Sequence, residues 1–250
     1  VADVTGPSKS EQTRALILDT ALAMFRERGF EETTMRAIAE KAGVSLGNAY
    51  YYFKSKEHMI QEFYMHTHVE HLEAAGPVLE REKTLKARLL GSMRAKVDTL
   101  EQYHAFAGIL FKSAADPKSP LNPFSPESIP TRKESTAHFD EVVRGAKTKL
   151  RIPADLMPEL ANLIWVYHMG IILFWIHDKS AGCKRTYLLV EHSVDIIVKL
   201  IGIASLPLVS PLRKRVLKLL AELNALAEPQ VENESETKPE AEAAVSGPAV

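Results

Sequence analysis

The run Thr33-Thr34-Met35-Arg36-Ala37-Ile38-Ala39-Glu40-Lys41-Ala42-Gly43-Val44-Ser45-Leu46-Gly47-Asn48-Ala49-Tyr50-Tyr51-Tyr52-Phe53-Lys54-Ser55-Lys56-Glu57 packs three helix starts into one short segment. Thr34, Ser45 and Ser55 each stand directly before an apolar-periodic stretch, where a hydroxyl accepts the orphan amides of a first helical turn. Glu57 adds a carboxylate at the positive end of the last of these helices. Met35, Ile38, Ala39 and Ala42 share one helical face, Gly43-Val44 supplies a tight turn, and a second short helix reaches about Phe53. Two helices joined in this way are a helix-turn-helix. Ala39 is small enough for a close crossing, and glycine is favoured in the turn. The second helix exposes Leu46, Gly47, Asn48, Tyr50, Tyr51 and Tyr52, one of the tyrosines turning inward, and Lys54 and Lys56 follow. Residues 41–56 contain no acid and also hold Lys41. An amide for base edges, hydroxyls for phosphates and cations beside a backbone are the groups a helix entering the major groove requires.

Upstream, Leu18, Ala21, Leu22 and Phe25 predict a helix from about Glu11 that Gly29 stops. Downstream, the periodicity predicts helices over about 56–74, 83–115 with a break near Tyr103, 127–150, 155–179, 184–203 and 210–227. The breakers between them are Gly76-Pro77, Pro117 to Pro126, Pro153, Gly182, Pro207 and Pro211. No alternating run is long enough for a sheet, so the fold class is all-α. Residues 1–9 read as a disordered lead-in, and the Glu/Pro/Ala-rich segment 228–250 as a solvated acidic tail.

The chain has 250 residues, 46% apolar and 25% charged, in the ordinary globular range. A net charge of −1 hides an uneven distribution. Residues 228–250 carry six glutamates against Lys238, which leaves the remainder at +4. Residues 1–60 hold eight basic and eight acidic residues, so nucleic-acid binding would depend on local arrangement, with Arg14 and Arg36 assisting the lysines and a moderate salt dependence. One cysteine, Cys183, excludes an intramolecular disulfide framework and fits a reducing compartment. Its neighbours Lys184 and Arg185 would lower the thiol pKa if it were a redox handle, but the favoured reading is a lone thiol with no role. No basic-then-apolar opening marks a signal peptide, and the greasiest run, Leu163–Ile176, is shorter than a membrane span. A soluble, cytoplasmic protein is expected. No nucleophile elbow, phosphate loop, dinucleotide fingerprint or zincin motif is present, so an enzyme is not expected, and neither is a cofactor or metal. His66, His68 and His71 read as a solvated helix face, because no ligand set completes them.

Residues 11–64, above all the run quoted first, resemble the TetR family of bacterial transcriptional regulators. Tyr52 stands where that family commonly has histidine, and Ala49 where it usually has leucine. The resemblance implies a homodimer whose three front helices bind a palindromic operator in double-stranded DNA. It also implies a larger helical body that binds a small molecule and releases the DNA. By position, Thr34 would cap the second helix and touch a phosphate, and Ser45 would cap the recognition helix. Leu46, Gly47, Asn48 and Tyr50 would approach bases, while Tyr51, Tyr52 and Lys56 would anchor the backbone. The implied organisation is a DNA-binding domain over 10–55 and a ligand-binding and dimerisation domain over 56–227.

In the body, helix 155–179 is apolar nearly all round and helix 184–203 is similar, which suggests a subunit interface containing Trp175, Val190, Val194, Ile197 and Ile201. Candidate pocket residues are Tyr64, His68, Met93, Tyr103, Phe106, Phe111, Phe139, Trp165, His168 and Phe174. Few buried charges are evident, which favours a hydrophobic effector. Pro117–Pro126, with Phe124 inside it, reads either as a lid or entry flap or as a plain surface loop. A repressor is favoured over an activator. The competing reading is a helical scaffold whose helix-turn-helix no longer binds DNA.

Overall fold

In the computed structural model, residues 8–147 and 152–227 are described, and among them every regular element is helical. Of the lead-in expected over 1–9, residues 1–7 lie outside the described residues, as does the tail 228–250, while Ser8 and Lys9 instead cap and begin the first helix. The chain divides into two units, Val1–Ser210 and Pro211–Val250.

The head is α1 (Lys9–Arg28), α2 (Met35–Lys41) and α3 (Leu46–Tyr52). α1 starts two residues before Glu11 because Ser8 and Glu11 form a reciprocal capping box. The expected caps Thr34, Ser45 and Ser55 accept from Ala37, Asn48 and His58 amides at 3.2, 3.1 and 3.2 Å. Between α2 and α3 the chain turns through Gly43 at φ +69°, a left-handed conformation that favours glycine. Ile17, Ala21, Phe25, Ile38, Ala49 and Phe53 close the head core, together with Met59, Ile60 and Phe63 from the next helix.

That helix, α4 (Lys56–Arg81), runs straight through Gly76-Pro77, where the sequence predicted a stop. Ala75 and Leu79 on either side of the proline are buried, and this packing outweighs the one lost backbone bond. α5 (Leu85–Leu100) and α6 (His104–Ala114) are separated by a tight turn at Glu101–Tyr103, where the break was expected. α7 (Ile129–Arg144) ends at Gly145, short of the predicted 150; residues 148–150 are outside the described ones. α8 (Met157–Ile176) and α9 (Lys184–Ala204) follow. Leu89, Met93, Phe139, Val142, Ile164, Trp165, Trp175, Val190 and Val194 build a second core among α5, α7, α8 and α9. Asp178 fixes the α8–α9 corner by accepting from the Thr186 amide at 2.9 Å and hydroxyl at 2.7 Å, and from the Ser180 amide and hydroxyl at 2.9 and 2.7 Å. Among its described residues the second unit contributes α10 (Ser210–Ala227).

α8 is long and apolar enough by composition to cross a membrane, longer than the run read from sequence. Its Leu160, Ile164, Trp165, His168, Ile171 and Trp175 are buried against neighbouring helices, which is the packing of a core helix.

α4 and α5 approach closely because Gly91 has no side chain. A Cβ there would collide with the Val78 side chain, which is β-branched and cannot swing aside freely. Gly91→Ala gains about 1 kcal/mol of helix propensity and loses more to overpacking. A net destabilisation of roughly 1–2 kcal/mol is expected by urea denaturation.

Candidate nucleic-acid interface and buried polar centre

α3 turns Ala49 fully inward and leaves Tyr50 and Tyr51 49% and 79% exposed on the opposite side. Thr34, Ser45 and Gly47 are exposed, and Leu46 and Asn48 are half-buried at the rim. Tyr52 is the tyrosine that turns inward, its hydroxyl 3.2 Å from Ser10 Oγ on α1. The T-shaped contact between the Tyr51 and Tyr52 rings, 5.1 Å apart, holds Tyr51 upright.

The cations differ from expectation. Lys56, expected to anchor a DNA backbone, donates to the Phe30 carbonyl at 2.7 Å and the Glu31 carbonyl at 3.4 Å, and its ammonium lies 4.5 Å from the Phe30 ring centroid. It closes the α1–α2 loop onto α4. Lys41 pairs with Glu27 at 2.9 Å. Arg14 pairs with Glu62 and covers the Phe53 ring at 4.8 Å. Arg36 and Lys54 remain exposed with no ion pair among the described residues. Sequence could not separate these cations, because each partner lies on another element.

The body holds an unexpected polar centre. His68 and His71 on α4, His138 on α7 and His168 on α8 are each at most 5% exposed, and Lys96 on α5 is 8% exposed. Only His66 of the supposed solvated histidine face is in solvent, 3.3 Å from Glu70. His68 and His71 are instead buried, because α4 is covered here by α5 and α7. The His71 and His138 rings sit 4.8 Å apart, His71 and His168 6.3 Å, and Phe139 flanks His168 at 5.3 Å. Ser92 Oγ and His138 Nε2 are hydrogen-bonded at 2.7 Å, and His71 Nε2 lies 3.0 Å from the Ser92 carbonyl. Burial lowers the pKa of all four imidazoles, and the Lys96 charge adds to the effect; His138 falls to about 4. Burial brings Lys96 down to about 8, with Glu70 opposing. Among the described residues no group of three or more His, Cys, Asp or Glu is arranged to hold a metal ion.

Of the predicted pocket residues, His68, Phe139 and His168 come together around this centre, with Met93 and Trp165 in the same core. Phe106 instead stacks on Phe25 in the head core, and Tyr103 and Tyr64 pack around Phe63. Phe111 lies against His177, and Phe174 beneath Arg185. An open cleft of about 700 Å³ lies elsewhere, between the start of α4 and the segment Pro120–Thr131, bordered by Arg14, His58, Gln61, Glu62 and Met65. None of the predicted pocket residues lines it. The missed members were His71, Ser92, Lys96 and His138. The signal was present: Leu85, Leu89, Ser92, Met93, Lys96 and Val97 share the inward face of α5, so two polar residues occupy core positions.

The interface residues need correction as well. Trp175, Val190, Val194 and Ile201 are buried inside the protomer, and Ile197 packs half-buried on the same core. The α9 positions face α5 and α8, and Trp175 of α8 packs against His104 of α6. The opposite side of α9 exposes Leu188, Ile196, Leu200 and Ile203, and α8 exposes Val166 and Leu173. Cys183 is buried, and desolvation raises its thiol pKa, contrary to the lowering expected from Lys184 and Arg185. Phe124 of the Pro-rich segment stands edge-on to Trp165 at 5.3 Å.

The fold matches known proteins closely. A putative TetR-family regulator from Syntrophomonas wolfei superposes with a TM-score of 0.62 at 18% identity, over 80% of this chain and 99% of that one. FadR from Bacillus subtilis, solved in complex with stearoyl-CoA, gives 0.56 at 18% identity, over 74% and 97%. At such identities the likeness concerns the fold. The HTH-type transcriptional repressor KstR2 of Mycolicibacterium smegmatis is 45% identical over 56 residues, 22% of this chain and 27% of the repressor. The chain thus spans less than half of the length of the curated relatives it matches first. The family model for bacterial regulatory proteins of the tetR family matches residues 17–63, and the model for the tetracyclin repressor-like C-terminal domain matches 88–220. With head and body both matched, and the helix-turn-helix geometry in place, the chain belongs to the TetR family.

Proposed function

We propose that the protein is a ligand-responsive transcriptional repressor of the cytoplasm that binds a palindromic operator as a homodimer and releases it when a hydrophobic small molecule enters the body. The observation that carries this reading is the capped, glycine-turned α2–α3 pair, which presents Gly47, Asn48, Tyr50 and Tyr51 on one exposed edge. Residues 10–55 act as the reading head and 56–227 as the regulatory body. KstR2 is named a transcriptional repressor and FadR was solved with an acyl-CoA, which supports both halves of the proposal.

α4 supplies the coupling. Met59, Ile60 and Phe63 sit in the head core, His68 and His71 in the polar centre, and Leu79 in the body core. A rigid helix through all three converts a displacement in the body into a displacement of the head, for a coupling free energy of typically about 1–3 kcal/mol.

Footprinting on the chromosome of the source organism is expected to show a protected inverted repeat, with half-sites about 34 Å apart. Absence of any protected repeat would favour the scaffold reading. Tyr51→Phe is expected to weaken binding equally on all sequences, whereas Asn48→Ala relaxes preference at particular base pairs. With Arg36 and Lys54 free in each protomer, the log-affinity against log-salt slope is expected near about −4 for a dimer. A slope near zero would contradict backbone contact by these residues.

The dimer would bury the exposed ridge of Val166, Leu173, Leu188, Ile196, Leu200 and Ile203 against its two-fold mate. Leu200→Glu is expected to shift the protein to monomer in sedimentation velocity and to weaken operator binding at least tenfold. An unaltered dimer would place the interface elsewhere.

A further inference from the structure

Lys96 is a buried ammonium with no carboxylate within ion-pairing distance among the described residues. Its Nζ donates to the Thr67 carbonyl at a long 3.3 Å. Beside it, both ring nitrogens of His168 and Nε2 of His68 are buried with no hydrogen-bond partner, and so is Oε2 of Glu70. Folded proteins seldom leave such groups unmatched, since each one costs free energy that water would otherwise return. Here several converge from α4, α5 and α8 on one place, walled by Phe139 and Trp165.

We propose that this centre receives the anionic group of the effector, and that the effector is an apolar monocarboxylate. The proposal rests on the reading of the body as a ligand-binding domain. A carboxylate would give Lys96 its missing partner, and its second oxygen would accept from the unpartnered imidazoles of His68 and His168. Charge matching argues for a monoanion. The site offers one cation, Lys96, and four imidazoles held neutral by burial, while the charge of Glu70 already acts on Lys96 and that of Glu134 on His68, so the centre matches no more than one added negative charge. A phosphate or pyrophosphate carries more negative charge than this centre can neutralise. The aromatic wall suits the apolar remainder of the molecule. The Phe124 ring, from the segment between α6 and α7, stands edge-on to Trp165 at 5.3 Å, one helical turn from His168.

The test is isothermal titration of the full-length protein with decanoate and 2-naphthylacetate, alongside decan-1-ol and 2-naphthylethanol. Both acids are expected to bind at least tenfold more tightly than their alcohols. Lys96→Met should lower acid binding to the alcohol level and leave alcohol binding unchanged. Lys96→Gln, checked for helicity by circular dichroism, repeats the measurement should the methionine variant misfold. In the unaltered protein, acid affinity should fall as pH rises from 7 to 9 and Lys96 loses its proton. Equal binding of acids and alcohols, undiminished acid binding by both variants, or no acid binding at millimolar concentration overturns the inference. If the alcohols bind as well as the acids and release operator DNA, the ligand-responsive reading stands and only the anionic receptor falls.

Discussion

Arg88→Met is expected to destabilise the protein by about 3–5 kcal/mol, because several buried carbonyls lose one charged donor together. Arg88 is 4% exposed, and among the described residues no acid is shown paired with it. Its guanidinium instead donates to backbone carbonyls: Val142 at 2.9 Å, Glu141 at 3.0 Å, Glu82 at 3.3 Å and Leu79. These carbonyls end α4 and α7, where unpaired C=O groups and the negative ends of two helix dipoles meet. One planar, permanently charged fork satisfies both ends at once. Methionine fills similar volume but donates nothing, so the carbonyls lose the guanidinium, and among the described residues only Glu141 is shown keeping a backbone donor, the Gly145 amide at 2.9 Å. Lysine restores charge but cannot span four acceptors, so Arg88→Lys is expected to recover less than half of the loss. Gly145 belongs to the same arrangement, because a Cβ at that position would strike the guanidinium. Gly145→Ala should therefore destabilise in the same direction. Urea denaturation at fixed protein concentration, read as a shift in midpoint at unchanged slope, measures all three. A loss under 1 kcal/mol for Arg88→Met would mean that the carbonyls find water instead.

Acidification is expected to unfold the protein well before ordinary carboxylates are protonated. His68, His71, His138 and His168 all have lowered pKa values in the folded state, from burial first and then from Lys96 and one another, with Arg88 adding to the effect on His138. In the unfolded chain they take up protons near pH 6.5. Between that pH and the folded values the unfolded state binds more protons, so stability falls as pH falls. For His138 alone the window runs from 6.5 down to about 4, worth roughly 3 kcal/mol. Glu134 opposes the shift of His68 without cancelling it. Urea midpoints measured from pH 7.5 to 4.5 should drop steadily below 6.5, and His138→Leu should flatten part of that drop. A midpoint constant between pH 7 and 5 would show that the imidazoles are hydrated in solution and that the polar centre is open.

Sequence by itself determined the all-helical class, the three hydroxyl caps at Thr34, Ser45 and Ser55, the glycine turn at Gly43 and the exposed edge of α3. These are local matters: a cap bonds two or three residues onward, and a helical face is a period of 3.6. The break at Tyr103 and the starts of α8 and α9 were legible for the same reason. Tertiary structure alone decided the rest. Pro77 lies within α4 because Ala75 and Leu79 are buried by residues far along the chain. Lys56 and Lys41 are withdrawn from the exposed edge of α3 because their partners, the Phe30 carbonyl and Glu27, stand on other elements. Val190 and Val194 turned out to be core and Leu188 and Leu200 surface, since an apolar helix shows no preferred side until a neighbour covers one. The four histidines and Lys96 come from four separate helices, and only their convergence in the closed bundle turns ordinary polar residues into one buried, partly unsatisfied centre, because burial and mutual charge are properties of the packed assembly rather than of any segment.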